Sequence, residues 1–383
     1  MAKSVLIVDT YYIDALHQLQ ADHKFEGQNT YNNELRRVSG YGFGTGGAYV
    51  RALNAQQWDA SIIVPNSLGL QDLWASEHNK QHPIGIGWEY MQVLARPPIF
   101  RDVLKWIPHA HKILLQQVKD IRPDVLFVQD INAVPPSLVR HLKKYAGTVI
   151  GEIASPLPPN AFVTCYDRIV SALPSIVEKA QAIGIQSTFL PLGFDARWAT
   201  HSDTKTREID AVFVGSFTRL QPTTAPLLRA IAEAIPGFRV YGTAKPDVLE
   251  AAGLANNYHG PVWGSEMFSV LGNSKIVVNR HGTVAGPYAV NMRMYETTGS
   301  GAALVTESKS NLQDLFSVGT EVMAYNNIDE AVDTAVSLLA DPDRLAALAR
   351  AGQQRTLRDH TYDRRAESLI EIFESDLARP RRS

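Results

Sequence analysis

The sequence predicts an α/β protein made of two successive doubly wound halves, each a parallel sheet between layers of helix. Three observations predict it. Short β-branched runs alternate with helical stretches along the whole chain, the pattern of parallel sheets covered on both faces. The alternation breaks in a polar, charged run, "HSDTKTREID" at residues 201–210, and then begins again. Finally, 383 residues exceed what one ordinary core organises and suit two domains of common size.

In the first half the strands are "SVLIVD", "ASIIVP", "DVLFVQ", "GTVIGE", "DRIVSA" and "STFLPL". Helical stretches separate them at 49–57, 68–79, 109–119, 136–144 and 174–182. The segment "LPLGFD", 190–195, carries Pro and Gly and leads into the polar run, so the domain boundary falls at 192/193. The second half restarts with "DAVFVG" and continues through "FRVYG", "KIVVN", "AALVT" and "VMAYN". Residues 329–360 read as helix interrupted near Asp341 and Pro342, and a last helix covers 362–377. The expected division is 1–192, 193–361, and a closing segment 362–383 whose tail, "ARPRRS", is basic and frayed.

Composition narrows the function. A hydrophobic share of 45% with 20% charged residues is that of a soluble globular chain. A formal net charge of −2 gives no basic field, so nucleic acid is not an expected partner. The single cysteine, Cys165, cannot form an intrachain disulfide and reads as a small buried hydrophobe in a reducing compartment. The first residues enter a strand directly, without the pattern of a secretory leader, and no apolar run approaches the ~20 residues of a membrane span. A cytoplasmic protein without membrane insertion is therefore expected. No His, Cys and acid cluster has metal-ligand spacing and no G-x-x-x-x-G-K-[ST] loop occurs, so neither a metal nor a bound cofactor is expected. Oligomeric state is not readable.

Open parallel sheets bind ligands at the carboxyl ends of their strands. After "KIVVN" comes "RHGTVAGPYAV", with His281, two glycines and then Pro287, a favoured first helical residue. The reading is either an anion site at a helix start or a plain loop. The helix then runs over 291–298 and is stopped by Gly299, Ser300 and Gly301. Arg293 and Glu296 sit three apart on it, as a solvated pair or as ligand holders. Gly215, Ser216 and Arg219 follow "DAVFV", and Tyr241, Gly242 and Lys245 occupy the same place in "VYGTAK". Such donors and cations suit a diphosphate. "YHGPVWG", 258–264, sets His259 and Trp263 around glycines, as a nucleobase edge or as a structural loop. "GYGFGTGG", 40–47, is only weakly a dinucleotide fingerprint, because it lies roughly thirty residues beyond the first strand. It reads as a loop offering Gly44, Thr45 and Gly46 at the ligand edge before a helix from Tyr49, or as a structural turn.

Several stretches together resemble one family. "SKIVVNRHGTVAGPYAVNMRMYETTGSGAALVTESKSNLQDLF" and "AGQQRTLRDHTYDRR" look like the C-terminal half of GT-B glycosyltransferases, more narrowly the bacterial branch related to spore-maturation-type glycosyltransferases. "YVRALNAQQWDASIIVPNSLGLQDLWASEH", "RPDVLFVQDIN" and "LPLGFD" resemble the first half of that branch more loosely. The resemblance implies two Rossmann-like domains facing a central cleft, with the last helix crossing back to the N-terminal domain. It implies a nucleotide-sugar donor, UDP- or dTDP-linked, held by the C-terminal domain, an acceptor held by the N-terminal one, and metal-independent transfer to an acceptor hydroxyl.

Carried over, Glu296 matches the glutamate that accepts from the ribose hydroxyls, Gly299 and Gly301 match the helix break, and Arg219 matches a phosphate-binding cation. Tyr288, Ala289, Asn291 and Arg293 fall in the same donor segment. Many retaining members carry an acid where this chain has Tyr288, so stereochemistry is not carried over. The candidates for catalysis are Asp130, Glu152 and His281, with Asp9 as a further strand-end acid. A nucleotide-sugar epimerase, or a non-catalytic sugar-nucleotide or glycan-binding protein, would use the same scaffold.

Overall fold

The computed structural model describes residues 2–21, 30–80, 108–200, 204–216 and 224–379. The chain divides into two compact units, Met1–Pro191 with Ala366–Ser383, and Leu192–Arg365.

The first unit is built on a six-stranded sheet: β1 (Ser4–Val8), β2 (Asp59–Ile63), β3 (Val125–Val128), β4 (Thr148–Glu152), β5 (Arg168–Ser171) and β6 (Gln186–Phe189). The spatial order is β2-β1-β3-β4-β5-β6, and every pairing is parallel. β3 throughout, and β1 after Ser4, are apolar because helices cover both faces of a parallel sheet. β6, at the edge, is the polar one, with sequence QSTF. Because β1 lies between β2 and β3, the winding reverses there, and the carboxyl ends of β1 and β3 border the crevice that such a reversal leaves.

The final helix, Tyr362–Leu377, supplies the first unit's last wall. Phe373 is fully buried against Trp58 and Phe127, with ring centroids 5.5 and 6.0 Å away. Two residues pin the same turn from the sheet side. Arg168 donates through Nε and Nη2 to the two carboxylate oxygens of Asp376, each at 2.7 Å, and both residues are buried.

The second unit carries β7 (Ile209–Val214), β8 (Arg239–Tyr241), β9 (Ser274–Asn279), β10 (Ala303–Glu307) and β11 (Met323–Tyr325), in the order β11-β10-β9-β7-β8, again all parallel. Alternate residues of β7 enter opposite layers. Ala211 and Phe213 pack with Leu228, Ile231 and Leu338, while Val212 and Val214 pack with Met267, Leu271 and Met294. The winding reverses between β7 and β9.

Two expected boundaries move. The helix expected from Pro287 begins at Met292, so Glu296 lies just over one turn in. Asn291 is the true start, its side-chain oxygen accepting from the Met294 N–H at 3.2 Å. Pro287 belongs to the preceding loop, where its carbonyl accepts from both the N–H and the hydroxyl of Ser310. The helix expected from Tyr49 begins at Gly46, and Gly40 closes an earlier helix, Tyr31–Gly40, so the glycine-rich loop is only residues 41–45.

Candidate functional site

The carboxyl edge of the second unit's sheet gathers most of the expected donor residues. Val214 and Tyr241 are partners across β7 and β8, and Asn279 and Thr306 across β9 and β10. The residues that follow, Gly215, Gly242, Arg280 and Glu307, are the next step on four neighbouring strands.

Gly215 and Gly242 let two of these strand ends touch. The Gly215 N–H donates to the Tyr241 carbonyl at 2.9 Å, and Gly242 has φ +138°. A Cβ on Gly242 would stand 1.9 Å from the Gly215 oxygen, so only glycine fits. Ser216 follows and is exposed; Arg219 lies outside the described residues. The aromatic loop closes onto β8. The His259 N–H donates to the Val240 carbonyl, its ring stacks on Tyr241 at 5.3 Å, and the Tyr258 hydroxyl donates to the Gly242 carbonyl at 2.8 Å. Burial, with help from Arg239, lowers the His259 pKa, which keeps the ring neutral. Trp263 is half-buried where the helix Gly264–Gly272 begins.

Arg293 and Glu296 are drawn in beside this edge by the helix Met292–Gly299. Arg293 donates through Nε to the Val214 carbonyl at 2.9 Å and reaches the Met267 sulfur through Nη1. The same Nη1 lies 2.7 Å from Glu296 Oε2. Neither residue is a solvated surface charge: Glu296 is only 9% exposed. Glu296 Oε2 is sealed from solvent against the guanidinium, so a ligand would meet the carboxylate at its other oxygen, Oε1. Gly299 is required by packing, because a Cβ there would meet the Phe194 ring at 2.4 Å, and Gly301 turns the chain with φ +74°.

Between β9 and β10 lies a second cluster. Asn291 donates to Asn279 Oδ1 and to the Arg280 carbonyl, both at 3.0 Å, tying the helix start to the strand end. His281 is 3% exposed, and burial lowers its pKa to about 4, so it is a neutral ring at physiological pH. Its N–H backbone donates to Glu307, and Lys309 pairs with the same carboxylate at 3.2 Å. Ala289 is buried, its N–H donating to Asn311, while Tyr288 is half-buried in the same loop. Arg280, Glu307 and Lys309 escape a reading of motifs because the register of β9 with β10, not their spacing, brings them together. The only sequence signal is that each follows an apolar strand.

In the first unit, Val8, Val128 and Gly151 are in register across β1, β3 and β4, so Asp9, Gln129 and Glu152 form one row at the carboxyl edge. The loop 41–45 closes over that row. Asp9 Oδ2 accepts from the Gly46 N–H at 2.9 Å, which caps the helix Gly46–Ala55 with a carboxylate. Gly44, at φ +76°, passes so near that a Cβ would meet Asp9 and Tyr11 at 2.6 Å. Gln129 Nε2 donates to the Thr45 hydroxyl and to Glu152 Oε2, the latter at 3.4 Å.

Burial raises the Asp9 pKa to about 6, although the Gly46, Thr10 and Thr45 amides oppose it. Burial raises Glu152 further, to about 8; the Gln129 hydrogen bond opposes the rise, and the charges of Asp9 and Asp130 add to it. Glu152 therefore holds a proton at neutral pH. Asp130 accepts from the Asn132 N–H at 2.9 Å, a turn that fixes the carboxylate beside the row. Thus Asp9, Asp130, Glu152, Gly44, Thr45 and Gly46 meet in one place, and Gly215, Tyr241, Gly242, His259, Arg293 and Glu296 in another.

A broad surface depression of about 780 Å³ lies at the opposite, amino-terminal edge of the first sheet, lined by Lys3, Ser4, Asp59 and Arg122. It carries none of these residues. Among the described residues no three His, Cys, Asp or Glu side chains are placed to share a metal ion, and no helix is long and apolar enough to cross a membrane.

Residues 221–371 match the family described as "Glycosyl transferase-like". No curated protein matches the chain. Solved structures share its fold over nearly the whole length. HepE of Anabaena, crystallised with UDP and glucose, has a TM-score of 0.60 at 11% identity, covering 97% of this chain and 100% of that one. A glycosyltransferase from Rickettsia africae gives 0.59 at 10% identity, with 99% and 100% covered. Sucrose-phosphate synthase from Thermosynechococcus elongatus gives 0.57 at 13% identity, with 97% and 98% covered. The α/β fold of two parallel sheets expected from the resemblance, GT-B, is the fold the chain has.

Proposed function

We propose that the chain is a glycosyltransferase that moves a sugar from a nucleoside diphosphate, UDP in the first instance, to an acceptor hydroxyl. The observation that carries this is Glu296. It is a nearly buried carboxylate held through Oε2 by Arg293 at the carboxyl end of β7, which leaves Oε1 as the oxygen open to a ligand. A carboxylate so placed accepts from two vicinal hydroxyls, as a ribose presents. Two comparisons support the reading: the "Glycosyl transferase-like" match, 221–371, takes in most of this unit including Glu296, and a structure of the same fold holds UDP and glucose. The motif from residue 274 to 316 favours the spore-maturation-type branch.

In this reading the acceptor oxygen attacks the anomeric carbon and loses its proton to Asp130, or to Glu152 where the pH is high enough for that carboxyl to be ionised. The bond from that carbon to the diphosphate breaks, and its electron pair leaves with the nucleoside diphosphate. The cations Arg280 and Lys309, past the ends of β9 and β10, stabilise the departing charge without need of a metal. His281, neutral and buried, braces the loop through Thr306 and Glu307. Incubation with UDP-, dTDP-, GDP- and CMP-sugars tests the proposal. Donor hydrolysis or transfer supports it. Interconversion of the sugar without an acceptor would make the chain an epimerase, and tight binding with neither outcome a binding protein.

A further inference from the structure

In the first unit, one side chain bridges the glycine-rich loop and the strand-end acids. Both hydrogens of the Gln129 amide are committed, one to Thr45 Oγ1 and one to Glu152 Oε2. The amide oxygen, Oε1, is buried and has no hydrogen-bond partner. Oε1 and Asp9 Oδ2 both border Gly46, lying 2.8 and 3.0 Å from the point where a Cβ on Gly46 would stand. That arrangement suits an ionised Glu152, which only accepts. A protonated Glu152 also carries an O–H that needs an acceptor, and Gln129 in this orientation offers it only the donor Nε2.

A half-turn of the amide answers that need. Oε1 then faces the Glu152 O–H, and Nε2 takes the buried place beside Gly46 that Oε1 leaves. Thr45 tolerates either state because a hydroxyl both donates and accepts. We propose that Gln129 is a positioning residue whose amide takes one orientation for each protonation state of Glu152 and passes the difference to Thr45, and through it to the glycine-rich loop. For its catalytic meaning this rests on the transferase reading, in which Glu152 is a candidate proton acceptor and the loop borders the acceptor side. Loading the loop then biases whether Glu152 holds its proton. The charged groups facing Glu152 are Asp9, from the end of β1, and Asp130, after β3, and both favour the protonated form.

The test is a pH titration of the Glu152 carboxyl carbon in the full chain labelled with 13C-glutamate, the resonance being assigned by its loss in Glu152→Gln. In the wild type the midpoint is expected near 8. Gln129→Met removes a hydrogen bond to the ionised form and moves the midpoint up. Thr45→Val, whose bond is to Gln129 rather than to Glu152, also moves it up, by freeing the amide to turn. Added to Gln129→Met, Thr45→Val has no further effect. An unmoved midpoint in Thr45→Val, or shifts that add in the double variant, would overturn the relay. An unmoved midpoint in Gln129→Met would remove the positioning role. If Gln129→Met does not fold, Thr45→Val alone decides. No sugar donor enters the measurement, so its failure is distinct from failure of the transferase reading, which the donor panel tests.

Discussion

The Arg293 guanidinium joins the Glu296 carboxylate to the end of a strand: Nη1 lies 2.7 Å from Glu296 Oε2 while Nε donates to the Val214 carbonyl at 2.9 Å. A solvated pair at this spacing contributes only ~0.2–0.5 kcal/mol. Here the carboxylate is nearly buried and its place is fixed by main chain. Glu296→Ala is expected to weaken UDP binding by about 1.5–3 kcal/mol, roughly ten- to a hundredfold. Calorimetry that finds unchanged affinity would sink the ribose assignment.

Gly242 is the tightest point of the second unit's ligand edge. Gly242→Ala places a methyl group 1.9 Å from the Gly215 carbonyl and strains a backbone at φ +138°. Left-handed strain alone costs of order 1–3 kcal/mol, and the clash adds to it. The expected result is a lowered melting temperature together with lost UDP binding. A variant that melts and binds as the wild type does would show the two strand ends to be further apart than described.

Stability should depend on pH with two opposite signs. Burial depresses His281 and His360 to about 4 from 6.5, so both are neutral when folded. Their contribution is whole above about 6.5 and is lost as pH falls toward 4, because the unfolded chain takes up the protons first. Urea melts at descending pH should therefore show a slope that is shallower in His360→Phe; equal slopes would contradict the assignment.

Glu152 works the other way. Its pKa is raised from 4.5 to about 8, so its contribution is whole below 4.5 and is lost as pH rises through 8. Above 6.5, where the histidines no longer titrate, Glu152→Gln should gain stability relative to the wild type as pH increases. A constant difference across that range would mean that Glu152 is already ionised. In the transferase reading, a rate that depends on Glu152 as base rises over the same interval.

The buried pair of Arg168 and Asp376 offers a fifth check. Asp376→Ala leaves a buried guanidinium with one partner fewer, a loss of about 3–5 kcal/mol for a broken buried pair. Hydrogen exchange should show the last helix losing protection from Ala366 onward. Protection equal to the wild type's would mean that Phe373 alone holds the helix.

What could be read in advance follows from range along the chain. Strand runs such as "VLIV" and "VLFV" are legible because a parallel strand buried on both faces leaves a continuous apolar signature. Pro287 is a strong local start signal, yet the helix begins at Met292, because Asn291 prevails through a side-chain bond and Pro287 is held by Ser310, 23 residues on. Asp130 and Glu152 could be named as strand-end acids. Gln129 could not, because its importance lies in reaching Thr45 and Glu152 at once, and register decides that. The inward turn of Arg293 and Glu296 was equally hidden, since a pair three apart looks the same on a wet face as on a dry one.

The first unit takes in residues from both ends of the chain, while the second is one uninterrupted stretch, Leu192–Arg365. On the ribosome the order of manufacture and the order of completion must therefore differ. The half that emerges first still lacks Phe373 and Asp376, and the faces of Trp58, Phe127 and Arg168 stay uncovered until that helix has been made. The second unit needs nothing made after Arg365. Loss of the helix from Ala366 would thus injure the oldest part of the nascent chain and spare the newer part.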